Sequence, residues 1–113
     1  MSSENLVLCA ASAYEEKFYL NEAFNGLPEG IKEDLKIISV LFTADVGGVL
    51  IMEFNADGEL ELRVDVAEED LLFDEIGSAL KIKQIQRERG ELFEALEMYY
   101  RVFILGDMSG IEE

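Results

Sequence analysis

The sequence predicts an α+β domain: an antiparallel sheet of about four strands in two hairpins, with helices on one face and a long C-terminal helical segment. Three observations carry that expectation. Short apolar runs come in two closely spaced pairs, one near the start and one midway. Apolar residues recur at helical spacing after Pro28 and again after Asp70. Apolar residues also make up 50% of the 113 positions, enough for one core and not for two. The chain is therefore read as one domain over 1–113, with a tail at 106–113 expected to fray.

The first pair is Leu6-Val7-Leu8-Cys9-Ala10-Ala11, apolar without helical period, and Lys17 to Leu20, where Phe18 and Leu20 lie opposite Lys17 and Tyr19. These read as strands joined in a hairpin through Ser12 to Glu15. Asn25-Gly26-Leu27-Pro28 is a turn, and its proline suits the first turn of a helix whose dipole favours Glu29, Glu33 and Asp34 near its start. Ile31, Leu35, Ile38 and Phe42 then define one helical stripe. Ile37, Val40 and Leu41 widen it, so this helix is expected to be covered on most sides until Gly47-Gly48 ends it.

The second pair fixes its own register. Leu50, Met52 and Phe54 share one face, as do Leu60, Leu62 and Val64. Pairing Phe54 with Leu60 matches those faces and sets Asn55 against Glu59, which leaves the loop Ala56-Asp57-Gly58 with glycine at the left-handed position. The outer face then carries Glu53, Glu59, Glu61, Arg63 and Asp65, expected to be solvated. After Glu68-Glu69-Asp70 the chain turns helical through Leu72, Ile76, Ala79 and Leu80, and a drifting stripe follows at Ile82, Ile85, Leu92, Leu96, Tyr99 and Phe103. Gly90 inside that stretch predicts a kink or break.

Composition excludes several chemistries. There is no histidine, which removes imidazole acid–base catalysis, His-activated nucleophiles and His-ligated metals. The single Cys9 forms no internal disulfide and no thiolate zinc set, and its apolar neighbours make it a small buried hydrophobe. Eleven Phe and Tyr residues separate this acidic chain from disordered ones. The N-terminus carries neither a basic segment nor a long apolar one, so a cytoplasmic protein with no membrane association is expected.

The residues Tyr14-Glu15-Glu16-Lys17-Phe18-Tyr19-Leu20-Asn21, Phe73-Asp74-Glu75-Ile76-Gly77-Ser78, Leu80-Lys81-Ile82-Lys83 and Met98-Tyr99-Tyr100-Arg101 resemble those of a small uncharacterised bacterial family of unknown function. The resemblance spans most of the chain. It implies a bacterial cytoplasmic protein of about this length, and supplies neither an activity nor a set of functional residues.

Charge singles out the candidate sites. Against 25 acidic residues stand 9 basic ones, a net −16, yet four of the nine lie between Lys81 and Arg89, where only Glu88 opposes them. Lys83 and Arg87 are helical neighbours; Lys81 lies off their line. Long-range repulsion argues against nucleic acid as a partner of this segment. A solvated helix face is the plain reading of Lys81, Lys83, Arg87 and Arg89, and a charge-complementary contact with the acidic segment of a second copy is the functional one.

Glu68, Glu69, Asp70, Asp74 and Glu75 form that acidic cluster, with Asp70 and Asp74 expected on one helix face. Such carboxylates cap a helix, or hold a divalent cation. Asn55-Ala56-Asp57-Gly58-Glu59 looks like part of a calcium loop, but Val64 stands where the bidentate ligand belongs and strands flank it, so it is read as a hairpin turn. Tyr99 and Phe103 share a helical face that points to the core, whereas Tyr100 with Arg101 has the composition of an interface anchor.

No catalytic residue, metal ligand or cofactor is assigned. The leading expectation is a non-enzymatic interaction protein, a homodimer or scaffold, contacting its partner through residues 70–104. The alternatives are a small carboxylate-based metal- or ligand-binding enzyme around Asp70, Asp74 and Glu75, and an acidic polyanion mimic that captures a basic partner through the outer hairpin face.

Overall fold

The computed structural model describes residues 5–106. Strands β1 (Leu6–Ser12) and β2 (Lys17–Leu20) form the first hairpin, and β3 (Val49–Phe54) and β4 (Leu60–Asp65) the second. Between them lie a short 3-10 turn, Glu22–Phe24, and helix α1 (Glu29–Val46). Helices α2 (Glu75–Glu88) and α3 (Gly90–Tyr99) follow, and a π-helical turn, Tyr100–Ile104, ends the described chain. The sheet is antiparallel throughout, in the order β2-β1-β3-β4, so the two hairpins join through β1 and β3. The α+β expectation holds. Of the tail expected to fray, residues 107–113 lie outside the described residues.

Local chemistry explains where each element stops. Pro28 precedes α1, and its carbonyl accepts from the N–H groups of Ile31 and Lys32. Gly47 and Gly48, at φ +87° and +77°, turn the chain into β3, a path that side chains with a Cβ resist. Phe54 pairs with Leu60, and Gly58 takes the left-handed position at φ +83°, as the register argument requires. Asn55 Oδ1 accepts from the N–H groups of Asp57 and Glu59, at 2.9 and 3.0 Å, so the side chain that looked like a calcium ligand holds the turn.

One core lies between the sheet and the helices. The inner sheet face supplies Leu8, Cys9, Leu50, Met52 and Phe54, all inaccessible to solvent. A register shift between Val7 and Cys9 turns both Leu8 and Cys9 inward. Leu35, Ile38 and Phe42 of α1 and Phe93, Leu96 and Tyr100 of the C-terminal region close over them. Burial pushes the Cys9 thiol up to about 12, with the Ser39 hydroxyl at 4.0 Å offsetting a smaller part, so this cysteine is a core residue without nucleophilic character.

Three expectations are corrected and one is met. Ile37, Val40 and Leu41 do not widen the buried stripe of α1; they are 49%, 41% and 63% exposed, because a helix on one sheet face buries a single stripe and α2 covers little of its flank. The C-terminal helical segment follows its expected course. It breaks at Arg89, next to Gly90 as expected, and α3 folds back onto the core. On the outer sheet face Glu53 is buried, with only 6% of its surface exposed, because Arg63 lies across it. Tyr100 turns inward and stacks on Phe54, with ring centroids 4.3 Å apart and planes within 2°, while Phe103 is 69% exposed.

Candidate functional site

Helix α2 and the segment before it leave the most apolar surface uncovered. Asp74 caps the helix: its Oδ1 accepts from the Gly77 N–H at 2.8 Å, and the carboxylate sits where a Cβ on residue 77 would clash with it. The inner side of α2 is set by Ser78, which is buried, and by Ile82 and Ile85, which are half-buried against the core. Lys81 belongs to this side and reaches Asp45 of α1, with Nζ–Oδ2 at 2.7 Å. Both ends of that pair are more than a third solvated, so it orients α2 and adds only about 0–1 kcal/mol.

The opposite side of α2 follows from the same helical period. Ile76, Leu80, Lys83 and Arg87 step along it at spacings of four, three and four residues. Ile76 is 75% exposed and Leu80 64%, and just before the helix Leu71 and Leu72 are 89% and 94% exposed. The expectation that the chain is already helical at Leu72 is corrected to a start at Glu75, with Ile76 and Leu80 on the open side of the helix. Residues 66–74 are not helical, and once α2 begins, Ile82 and Ile85 win the contact with α1 and the core.

Charges bracket this row. At its N-terminal end stand Glu68, Glu69, Asp70, Asp74 and Glu75, and at its C-terminal end Lys83, Arg87 and Arg89, all exposed apart from the half-buried Asp70. Asp70 is not on a helix face with Asp74. It lies in the preceding segment, where Oδ2 accepts from the Tyr14 hydroxyl at 2.7 Å and Oδ1 from the Leu72 N–H at 3.2 Å. That hydroxyl also accepts from the Ala67 N–H, which ties the first hairpin loop to the acidic segment. The hydrogen bond to Asp70 holds the Tyr14 phenol above its ordinary value. Asp70 and Asp74 are thus engaged in turn and cap contacts, and among the described residues no three carboxylate or thiol groups converge as metal ligands would.

The other candidate residues fall elsewhere. Tyr100 is in the core, and Arg101 packs its stem over Gly58, so neither joins the α2 row. The signal for Tyr100 lay in the spacing Phe93, Leu96, Tyr100, a helical stripe adjoining the Leu92, Leu96, Tyr99, Phe103 stripe. On the outer hairpin face all four carboxylates have local hydrogen-bond partners, but a single cation, Arg63, stands against them. Arg63 Nε lies 3.0 Å from Glu53 Oε2 and Nη1 2.8 Å from Asp65 Oδ1, and Glu61 accepts from Asn55 Nδ2 at 2.7 Å. The hydrogen bonds from Arg63, with Asn5 adding to them, hold Glu53 below the ordinary carboxylate value.

Among the described residues no helix is long and apolar enough to cross a membrane. Comparison with curated proteins and with solved structures gave no match. A family model does match, over residues 5–108, which takes in every residue described above. It is described as a family of unknown function, DUF6145, and the chain belongs to that family.

Proposed function

We propose that this chain is a non-enzymatic interaction protein that pairs with a second copy of itself through the outer side of α2. One observation carries the reading. Leu71, Leu72, Ile76 and Leu80 are four exposed apolar side chains within ten residues, with acidic residues at the N-terminal end of the stretch and basic ones beyond its C-terminal end. Soluble domains leave apolar side chains exposed singly, whereas a row rimmed by charge is the composition of a contact surface.

The charge order selects the partner. Two α2 helices crossing antiparallel at Leu80 set Leu80 against Leu80 and lay Ile76 of each along the apolar stem of Lys83 of the other. Arg87, seven positions to one side of Leu80, then meets Asp74 of the second copy, six positions to the other side, at offsets of about 9–10 Å. The same contact repeats by symmetry, as an isologous interface requires. Within the monomer the arrangement also suits the helix dipole, so it stabilises α2 before any partner arrives. The bacterial cytoplasmic setting belongs to the same proposal and is supported by the one buried thiol.

Light scattering after size exclusion tests it. The expected mass is that of a dimer, reduced to a monomer by Leu80→Glu and by Lys83→Glu with Arg87→Glu. Adding Asp74→Lys and Glu75→Lys to the latter pair restores the dimer. A monomeric mass for the unmodified chain at every protein concentration overturns the proposal.

A further inference from the structure

Between the first hairpin and α1 lies a groove that the α2 row does not touch. Its volume is about 730 Å³, within the roughly 300–1,000 Å³ of small-molecule sites. It exists because the residues meeting there are small. Ala11 and Ser12 at the end of β1 face Thr43 and Ala44 on α1, and no large side chain fills the gap. Phe18 and Val40 add apolar wall. Thr43 is buried, and its hydroxyl is turned to its own helix, donating to the Ser39 and Val40 carbonyls, so it adds no free donor to the lining.

The charges at the groove reverse the sign of the molecule. Lys17 from β2 and Lys36 from α1 both line it, and neither has an ion-pair partner among the described residues. Glu16 is the only acidic residue there. It sits in the hairpin turn at φ +55°, the one described non-glycine residue in the left-handed region. Two lysines against one glutamate leave the groove net positive on a chain of −16. Lys36 stands one turn before Val40 and two before Ala44 on α1, about 6 and 12 Å along its axis, so the trough runs from a cation into apolar wall and matches a ligand with one anionic end and one apolar end.

We propose that the groove between β2 and α1 binds a free amphiphilic carboxylate on a short apolar body, with Lys36 at the anionic end, Val40, Ala44 and Phe18 along the apolar one, and Lys17 adding to the positive field beyond it. The ligand is taken as a free molecule, not a lipid in a bilayer. An anionic bilayer would repel the rest of this surface, whereas one small anion meets chiefly the local field.

Octanoate, octanol and octylammonium, titrated separately against the isotope-labelled full chain and followed by amide chemical shifts, test the proposal. Octanoate is expected to shift the amides of Phe18, Val40 and Ala44, and to bind about tenfold more tightly than octanol or octylammonium. Lys17→Gln with Lys36→Gln should remove that preference and leave octanol binding unchanged, and Glu16→Gln should strengthen octanoate about twofold. Ala44→Phe, which fills the trough from an exposed helix position, should weaken all three probes. Vesicles of phosphatidylglycerol should not retain the protein. Equal binding of octanoate and octylammonium, shifts confined to another surface, an octanoate preference that survives the double lysine change, or retention by the vesicles would each overturn the proposal.

Discussion

Glu53 shows how one side chain escapes a pattern that correctly placed its strand. Alternation along β3 puts it on the outer sheet face, and the register puts it there too. What alternation leaves out is the reach of Arg63, a strand away, whose guanidinium spans Glu53 and Asp65 and shields the former from water. Long side chains cover surface that a two-residue period counts as open. The consequence is a pH dependence with a definite sign. Glu53 titrates below its ordinary value of 4.5, so its contribution is complete above that value and is lost as pH falls through the lower folded value. Glu53→Gln is expected to cost about 1–2 kcal/mol at pH 7 and nothing once the carboxyl is protonated in both states, measured as urea midpoints across the acid range. An equal cost at pH 7 and at the acid end would assign Glu53 a packing role instead.

At the scale of elements, the hairpins were legible and the helical faces only partly so. Phe54 against Leu60 followed from parity and a glycine, two local facts that leave one register. Helix α2 offered two apolar rows, Ile76 with Leu80 and Ile82 with Ile85, and periodicity gives no rule for which row meets the core. That choice is made by the packing of Ile82 and Ile85 against the core, with the contact of Lys81 and Asp45 adding a small orienting part. Rows competed in the same way along α3. Phe93, Leu96 and Tyr100 bury, while Phe103 stays out, and the wider turn in which the Leu105 N–H donates to the Tyr100 carbonyl shifts the later residues off the earlier face. Tyr100→Ala is accordingly expected to destabilise the fold by about 3–4 kcal/mol, since it empties a site between Phe54 and Phe24. A change below about 1 kcal/mol in chemical denaturation would return Tyr100 to the surface.

For the molecule as a whole, the surplus of carboxylates sets the response to salt. With a net charge of −16, the folded surface repels itself, and added electrolyte screens that repulsion more than it weakens the few exposed ion pairs. Thermal unfolding of the Leu80→Glu variant, expected to be monomeric, should therefore shift upward by several degrees between about 0.02 and 0.5 M sodium chloride. A downward shift would mean that local pairs such as Arg63 with Asp65 outweigh the global field. The joining of β1 to β3 was not legible, because the two strands lie more than thirty residues apart and nothing local specifies it.

That joining leaves β4 at a margin of the sheet, and there the Leu60 N–H donates to Glu97 Oε2 of α3 at 2.8 Å. Since the neighbouring Asn55 N–H donates to the Glu59 carbonyl, antiparallel alternation turns the Leu60 amide away from β3, toward the position a foreign strand would take. A carboxylate from the overlying helix occupies that donor. The opposite margin, β2, is only four residues long. The sheet thus has one margin blocked at its first outward donor and the other only four residues long, so strand addition, and with it fibril growth, finds a poorer template on either side than an open strand would give.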